Sequence, residues 1–392
     1  MSSRAEIGEN FLVHFTTLFT SINPSLRMRC WTSSPPSFLC TPPSKKEITN
    51  ALDSLGTTKA PSPDGFTALF YKKYWFIVRK DVLICIEQFF KNHNLLRNQN
   101  HTFLALIPKI SGSHTAHQFR PISLYNIVYK IISKILANRF KRYLPKIISP
   151  LQSAFVPQRN IQDNTILAHE LLHAFKSKRG KGGFMFMKMD MEKAFDRMEW
   201  SFLLAILEKL GFSQTWLSWI RICITSTSFS ILLNGSPFGH FSPGKGLRQG
   251  DPLFPFLFIL GAEVFSRLMF KEEHFGRLKG LRIARIYSPI HHLLFADDLL
   301  IFGEASVSVA VSIKSCLDKY SRWSSQAINA SKSSICFSRN TNPTTIDLIS
   351  NIIPYPSNTN SSLYLGLPIL MGNSKKRAFQ GIIDKGHSRI EG

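Results

Sequence analysis

Two adjacent aspartates, Asp297 and Asp298, lie inside an otherwise apolar stretch, residues 292–302, that reads HLLFADDLLIF. The apolar runs on either side, 293–295 and 299–302, have the length and the polar interruption of strand, turn, strand. Two like charges at the tip of a buried hairpin repel and lose hydration, so something positive must offset them, and a divalent metal ion meets that need. A third carboxylate, Asp190, closes the run FMFMKMDM at 184–191. Alternation along that strand puts Lys188 and Asp190 on one face and Met187 and Met189 on the other. Carboxylates from separate strands can converge on a pair of metal ions roughly 3.5–4 Å apart. Oxygen-only donors select Mg²⁺ over Zn²⁺. The matching chemistry is displacement at a phosphoryl centre, with a 3′-hydroxyl activated and pyrophosphate released. Spacing alone leaves polymerase and nuclease both open.

The loop at 244–252 (GKGLRQGDP) bears on that choice. Gly246 and Gly250 let backbone approach a flat ligand, and the Gln249 amide offers both a donor and an acceptor. Those features suit packing against a base pair better than holding an attacking water. His291 and His292 border the acidic hairpin. On a strand the two rings point to opposite faces, which assigns them a structural or pairing role rather than a catalytic one.

Composition points to the same class of ligand. Lys and Arg number 48 against 25 Asp and Glu, a formal net charge of +23 spread along the chain. With 44% hydrophobic residues in 392, most of the chain folds around a sizeable core. A folded, strongly basic protein meets a polyanion, and nucleic acid comes first. The six cysteines show neither metal-ligand spacing nor a CxxC pair, as in a reduced intracellular protein. No apolar leader opens the sequence, and the longest apolar run, 253–262, is too short to span a bilayer. The expected setting is intracellular, nucleus or cytoplasm, without a membrane.

Periodicity places these residues in a mixed chain. A helix is expected near 11–19, then a Ser/Thr/Pro-rich linker over 24–43. Ser44 and Glu47 form a capping box for a helix to Leu55, APSPDGF (60–66) is a rigid turn, and 66–91 reads as amphipathic helix. A short strand at 104–109 precedes a loop, 114–120, that delivers Arg120. Residues 127–144 have a strong helical period, with Ile131, Ile132, Ile135, Leu136 and Phe140 inward and Lys130, Lys134, Arg139, Lys141 and Arg142 outward. Further helices are expected over 161–176, 192–210, 253–269 and 308–323, and Asn234-Gly235 turns a hairpin. Between the first two of these helices, RGKGG is a basic turn, and 364–369 is a last short strand containing Gly366.

Seven motifs in order carry a resemblance: FRPISL (119–124), QSAFVPQRNIQDN (152–164), KMDMEKAFDRMEW (188–200), GLRQGDPL (246–253), HLLFADDLLIF (292–302), NASKS (329–333) and YLGLP (364–368). Together they resemble the reverse transcriptase of LINE-type, non-LTR retrotransposons, with plant elements the nearest in look. The likeness covers roughly residues 45–370, and APSPDGF resembles the family's segment ahead of the fingers.

The resemblance implies an α+β fold: a right-hand polymerase with helical fingers and an antiparallel palm sheet backed by helices. It divides the chain into an N-terminal helix and linker (1–44), a fingers-like region (45–185), the palm (186–370) and a tail or start of a thumb (371–392). The implied activity is RNA-directed DNA polymerisation with RNA template, DNA primer, dNTPs and two Mg²⁺ ions, Mn²⁺ being a substitute. Asp190, Asp297 and Asp298 are the implied catalytic carboxylates, and together with the backbone carbonyl of Met191 they form the implied metal set. Lys332 matches the lysine that protonates the leaving pyrophosphate. Arg120 would contact the triphosphate, Phe195 matches the gate against a ribose 2′-hydroxyl, and Gln249 with Gly250 would line the nucleotide pocket. Ser62 stands where the family usually has Gly. Phe254 stands where Ser usually follows GDPL, and is expected to crowd the floor of the site. The thumb is expected to be largely missing, and the endonuclease and RNase H segments absent, with a partner chain able to supply an endonuclease or thumb. Two other readings stay open: an inactive relic that only binds nucleic acid, and a maturase-like RNA-binding protein.

Overall fold

A computed structural model describes residues 35–357 and 363–368, except positions 96, 179, 181 and 285, together with a few isolated positions nearer the ends. The helix expected near 11–19 and the tail 371–392 fall almost wholly outside the described residues. In chain order the helices are α1 (Lys45–Asp53), α2 (Ala68–Lys73), α3 (Trp75–Asn92), α4 (Ile127–Ile147), α5 (Ile161–Ser177), α6 (Ala194–Arg197), α7 (Trp200–Lys209), α8 (Gln214–Thr225), α9 (Phe254–His274), α10 (Val307–Ser324) and α11 (Pro343–Ile352). The strands are β1 (His101–Pro108), β2 (Phe119–Tyr125), β3 (Phe184–Met189), β4 (Ser228–Leu233), β5 (Ser236–Phe241), β6 (His292–Phe295), β7 (Asp298–Glu304), β8 (Ser334–Phe337), β9 (Leu363–Tyr364) and β10 (Leu367–Pro368). The fold is α+β. Two compact units each draw on three stretches of chain: Met1–Ile147, Lys193–Gly261 and Arg322–Gln326 in the first, Ile148–Glu192, Ala262–Ser321 and Ala327–Gly392 in the second.

In the first unit α4 is the buried axis. Ile131, Ile132, Ile135, Leu136 and Phe140 are fully buried, as their spacing requires. Arg139, expected to face solvent, is buried instead. Its guanidinium donates to both carboxylate oxygens of Glu47 at 2.8 Å and to the carbonyls of Leu39 and Thr41. The Ser44 hydroxyl accepts from the Glu47 N–H, so the cap of α1 forms while the Glu47 side chain is held by Arg139. Residues Ser37–Cys40, inside the Ser/Pro-rich stretch, make a short 3-10 turn with Leu39 buried.

Helical fingers alone do not describe this unit. It also holds a four-stranded sheet of order β2-β1-β4-β5, in which β1 and β4 run parallel. FRPISL therefore lies in β2, paired with β1, rather than ending a loop. The β4–β5 turn places Asn234 and Gly235 at positive φ, 50° and 77°, the conformation a two-residue hairpin turn requires. Two expected helices are interrupted. The first breaks at Tyr74, between α2 and α3. The second breaks between α6 and α7, where Met198 is extended and buried Glu199 accepts a hydrogen bond from Ser325 and pairs with Lys245.

The second unit is built on the antiparallel sheet β6-β7-β3-β8. On one face Phe184, Phe186, Leu300 and Phe302 form a core with Ala168, Leu171, Leu172 and Phe175 of α5. On the other, α10 comes so close that a side chain at Gly303 would collide with Val309. The last segment is a two-residue hairpin, β9–β10, with Leu365 and Gly366 at positive φ in its turn rather than one strand.

Candidate active site

The sheet register brings the carboxylates of the second unit together. Strand β3 pairs with β7 from Phe184↔Glu304 to Met189↔Leu299, so the next position opposes Asp190 to Asp298. Strands β6 and β7 close on Phe295↔Asp298, leaving Ala296 and Asp297 as the turn. Asp190 and Asp298 thus share a sheet face, because directly opposed residues do. Toward the α5 core that face is apolar; where β3 runs out it carries Lys188 and then Asp190.

Asp190 is held by its backbone. Its N–H donates to the Ser333 hydroxyl at 3.1 Å and its carbonyl accepts from the Asn329 N–H at 2.8 Å. The Glu192 N–H donates to the Ala327 carbonyl, so Met191 is the non-hydrogen-bonded partner of Ile328. Backbone groups alternate sides along a strand, which turns the Met191 carbonyl away from 327–329 and toward the β7 edge. Lys332 sits on the tight turn 329–333 whose ends bond Asp190, and its side chain is exposed.

Crowding shows in the acidities. Burial, then the neighbouring Asp297 charge, pushes the Asp298 carboxyl up to about 6, against the pull of Lys188. Desolvation, with repulsion from Asp190, also raises Asp297. Both effects describe a site that a cation would relieve. The donors are oxygen only, which fits Mg²⁺. Among the described residues no three His, Cys, Asp or Glu form a closed metal-holding group.

The hairpin has a clamp that the sequence did not single out. Gln152, fully buried, accepts through Oε1 from the Ala296 N–H at 3.1 Å and the Ala154 N–H at 2.9 Å. On either side of it, the Leu294 N–H donates to the Leu151 carbonyl and the Ser153 N–H to the Leu294 carbonyl. Asn164 adds a donation to the Leu294 carbonyl and accepts from the Tyr364 hydroxyl at 2.7 Å. Both side chains lie in the QSAFVPQRNIQDN motif, which was the available signal.

His291 and His292 do not face opposite ways. Their rings stack with centroids 4.7 Å apart and the two Nδ1 atoms lie 2.6 Å apart. His291 precedes the first residue of β6, so strand alternation does not govern it. The ring of His292 meets the Ser266 hydroxyl, and burial lowers both imidazoles, His291 to about 4. Both rings are enclosed, and His291 Nε2 also lies 3.3 Å from the Glu273 carboxylate.

Arg120, Phe195, Gln249 and Gly250 belong to the first unit. Phe195 stacks on Phe258, centroids 4.3 Å apart, and its carbonyl accepts from the Leu247 N–H. The loop is pinned further by the Met198 carbonyl on the Gly246 N–H, by Trp200 donating to the Gly246 carbonyl, and by the Tyr125 hydroxyl donating to the Gly250 carbonyl. Phe195 and the Gln249-Gly250 corner are therefore one assembly. Arg120 stands exposed on β2, opposite Ile107.

Beneath that corner lies a buried ion pair, Arg248 with Asp251, N···O 3.2 Å. Arg248 also donates to Asn100 and Thr102 and lies over the rings of Tyr129, Tyr125 and Phe254. Asp251 accepts from the Ser133 hydroxyl and the Leu253 N–H. Phe254 is accordingly a wall of the Arg248 cage, 1% exposed, rather than an obstruction of the site's floor. The Ser62 hydroxyl, where glycine was expected, donates to the Tyr125 carbonyl and ties the APSPDGF turn to β2.

The antiparallel sheet β6-β7-β3-β8 with acidic residues where its strands end is the arrangement of a nucleotidyl-transferring core. The chain belongs to the reverse transcriptase (RNA-dependent DNA polymerase) family, whose model matches residues 107–369. It is 31% identical over 294 residues to the transposon TX1 uncharacterized 149 kDa protein of Xenopus laevis, covering 75% of this chain and 22% of that one. It is 28% identical over 213 residues to the retrovirus-related Pol polyprotein from type-2 retrotransposable element R2DM of Drosophila melanogaster, covering 54% and 19%. An uncharacterized mitochondrial protein of Arabidopsis thaliana is 52% identical over 67 residues, 17% of this chain and 55% of that protein. The chain thus spans about a fifth of the two longer relatives. No helix among the described residues is long and apolar enough to cross a membrane.

Proposed function

We propose that the chain is the RNA-directed DNA polymerase part of a non-LTR retrotransposon protein, adding dNTPs to a primer 3′-hydroxyl on an RNA template. One observation carries this reading: the β3–β7 register runs to Met189↔Leu299, so that Asp190, the next residue, comes to the Asp297-Asp298 turn and its charge is felt by both carboxyls. Asp190, the Met191 carbonyl, Asp297 and Asp298 would hold Mg²⁺ or Mn²⁺, which supplies charge neutralisation at the phosphoryl centre and a more acidic hydroxyl. Gln152 keeps the Asp297 turn in place, and Ser333 with Asn329 does the same for Asp190. Lys332, exposed on the 329–333 turn, offers a proton to departing pyrophosphate. Arg120 meets the triphosphate as a fixed cation, while Gln249 and Gly250 present a flat wall to the new base pair. Phe195, backed by Phe258, would be the gate that excludes a ribose 2′-hydroxyl.

Primer extension tests the reading: full chain, poly(rA) template, oligo(dT) primer, dTTP and Mg²⁺, with Asp297→Asn alongside. Incorporation is expected from the wild-type chain and background from the variant, with RNA affinity retained. Equal incorporation by the two would sink the assignment.

A further inference from the structure

Phe195 stands on a helix that cannot hold itself. α6 is one turn, Ala194–Arg197, entered through Lys193 at φ 48° and without a side-chain cap. A single turn carries the cost of helix nucleation with no later turns to offset it, so its position is set from outside. Two segments of the first unit set it. From one side the Leu247 N–H donates to the Phe195 carbonyl and the Gly246 N–H to the Met198 carbonyl, each at 2.8 Å. From the other, Gln326 Nε2 donates to the Ala194 carbonyl at 2.7 Å, Arg197 Nε to the Ser325 carbonyl at 3.0 Å, and the Ser325 hydroxyl to Glu199 at 2.8 Å.

The Gln326 bond acts where the others do not. Peptide groups are planar, and the two planes that meet at the Phe195 Cα carry the Ala194 and Phe195 carbonyls. Gln326 holds the first and Leu247 the second, so the direction in which the Phe195 ring leaves the backbone is fixed, and Phe258 backs the ring itself. Gln326 is 3% exposed, and its Oε1 is buried with no hydrogen-bond partner among the described residues. An unpaired buried acceptor lowers stability, and an apolar side chain of the same shape would avoid that loss. Packing therefore does not account for an amide at 326; its donor does. Turning the amide to satisfy Oε1 would set oxygen against the Ala194 carbonyl.

We infer that Gln326 is a positioning residue for sugar selection: through Ala194 it keeps Phe195 where a ribose 2′-hydroxyl would collide, which rests on the polymerase reading and on Phe195 as its gate. A 2′-hydroxyl differs from hydrogen by one oxygen, so a displacement of about 1 Å decides the collision. Gln326→Met keeps the length and loses the donor, whereas Gln326→Asn keeps the amide and falls one methylene short. Primer extension by the full chain with dTTP and UTP in parallel tests both variants, with melting curves to show which are folded; one folded variant suffices. Each is expected to narrow the dTTP-to-UTP ratio of kcat/KM by on the order of 10-fold, while kcat/KM for dTTP stays within about threefold of wild type. A merely structural role would lower both substrates together and leave the ratio alone. Added to Phe195→Ala, Gln326→Met should narrow the ratio no further, since the ring it positions is gone. An unchanged ratio in the folded variants, or further narrowing in the Phe195→Ala chain, would overturn the inference and leave the polymerase reading intact. Absence of dTTP incorporation by the wild type would instead remove the polymerase reading, and the role of Gln326 with it.

Discussion

Gln152 and Ala296 are joined by one hydrogen bond, the Ala296 N–H donating to Gln152 Oε1 at 3.1 Å, and that bond sits one residue from Asp297. Ala296 has φ 54°, a left-handed conformation that costs a residue with a Cβ on the order of 1 kcal/mol. A turn held against its preference needs a fixed partner. Truncating Gln152 releases the turn and lets Asp297 drift, without touching substrate. Gln152→Ala is expected to lower kcat roughly 10-fold, about 1.4 kcal/mol in the barrier, with KM for dTTP nearly unchanged. Steady-state primer extension reads the split. A rise in KM with kcat intact would mean that Gln152 does not position the hairpin.

Asp298 leads to a prediction about pH and metal. Its carboxyl is raised to about 6 in the fold, from an unfolded value near 3.8, by burial and then by Asp297. The native state therefore holds the extra proton between those values, and the site's contribution to stability falls as pH rises from about 4 to about 6. Above 6 the carboxylates are charged and repel. Mg²⁺ should accordingly raise the melting temperature more at pH 7.5 than at pH 5.5. Asp298→Asn should melt higher than wild type by roughly 1–2 °C at pH 7.5 without metal, while losing incorporation. Differential scanning calorimetry at the two pH values checks both; a Mg²⁺ shift that is the same at each would refute the coupling.

What could be read in the chain beforehand divides along physical lines. Asp297 and Asp298 announce themselves because charge inside an apolar run has few reasons to be there. The α4 core followed from its period. Arg139 did not, since a helical period reports the average face and says nothing of Glu47, 92 residues away, that draws the guanidinium inward. Gln152 was inside a quoted motif, yet its partner is a backbone N–H 144 residues on, which no local pattern encodes. The first unit's sheet stayed hidden for the same reason: β1 and β4 pair in parallel across more than a hundred residues. The stacked rings of His291 and His292 are not encoded by strand alternation, because β6 begins only at His292.

Phe195 stacks on Phe258 at an interplanar angle of 13° and is only partly buried, so one ring face is backed and its free side cannot retreat. A gate works by being unable to move. Phe195→Ala should admit ribonucleotides, narrowing the dNTP-to-rNTP preference by on the order of 100-fold, about 2.7 kcal/mol of discrimination. Parallel extension assays with dTTP and UTP measure it. An unchanged preference would return Phe195 to a purely structural role.

The Arg248–Asp251 pair separates support from contact. Both groups are buried, and neither the carboxylate nor the guanidinium faces bulk water. Removing one partner leaves the other charged and enclosed, a cost of about 3–5 kcal/mol. Asp251→Asn should therefore lower the melting temperature markedly. Replacing both, as Arg248→Met/Asp251→Leu, should recover much of that loss, because no charge is left stranded. Stability is only half of the role, since the same pair underlies the Gln249-Gly250 corner. Asp251 accepts from Ser133 and Leu253, and the Tyr125 ring that Arg248 covers carries the hydroxyl bonded to Gly250. An apolar pair has no means of keeping those donors aligned. The double variant is thus expected to melt above Asp251→Asn yet show a several-fold higher KM for dTTP than wild type. Thermal melts beside nucleotide titrations decide the point, and recovery of stability together with a wild-type KM would show that the loop holds its shape without the ion pair.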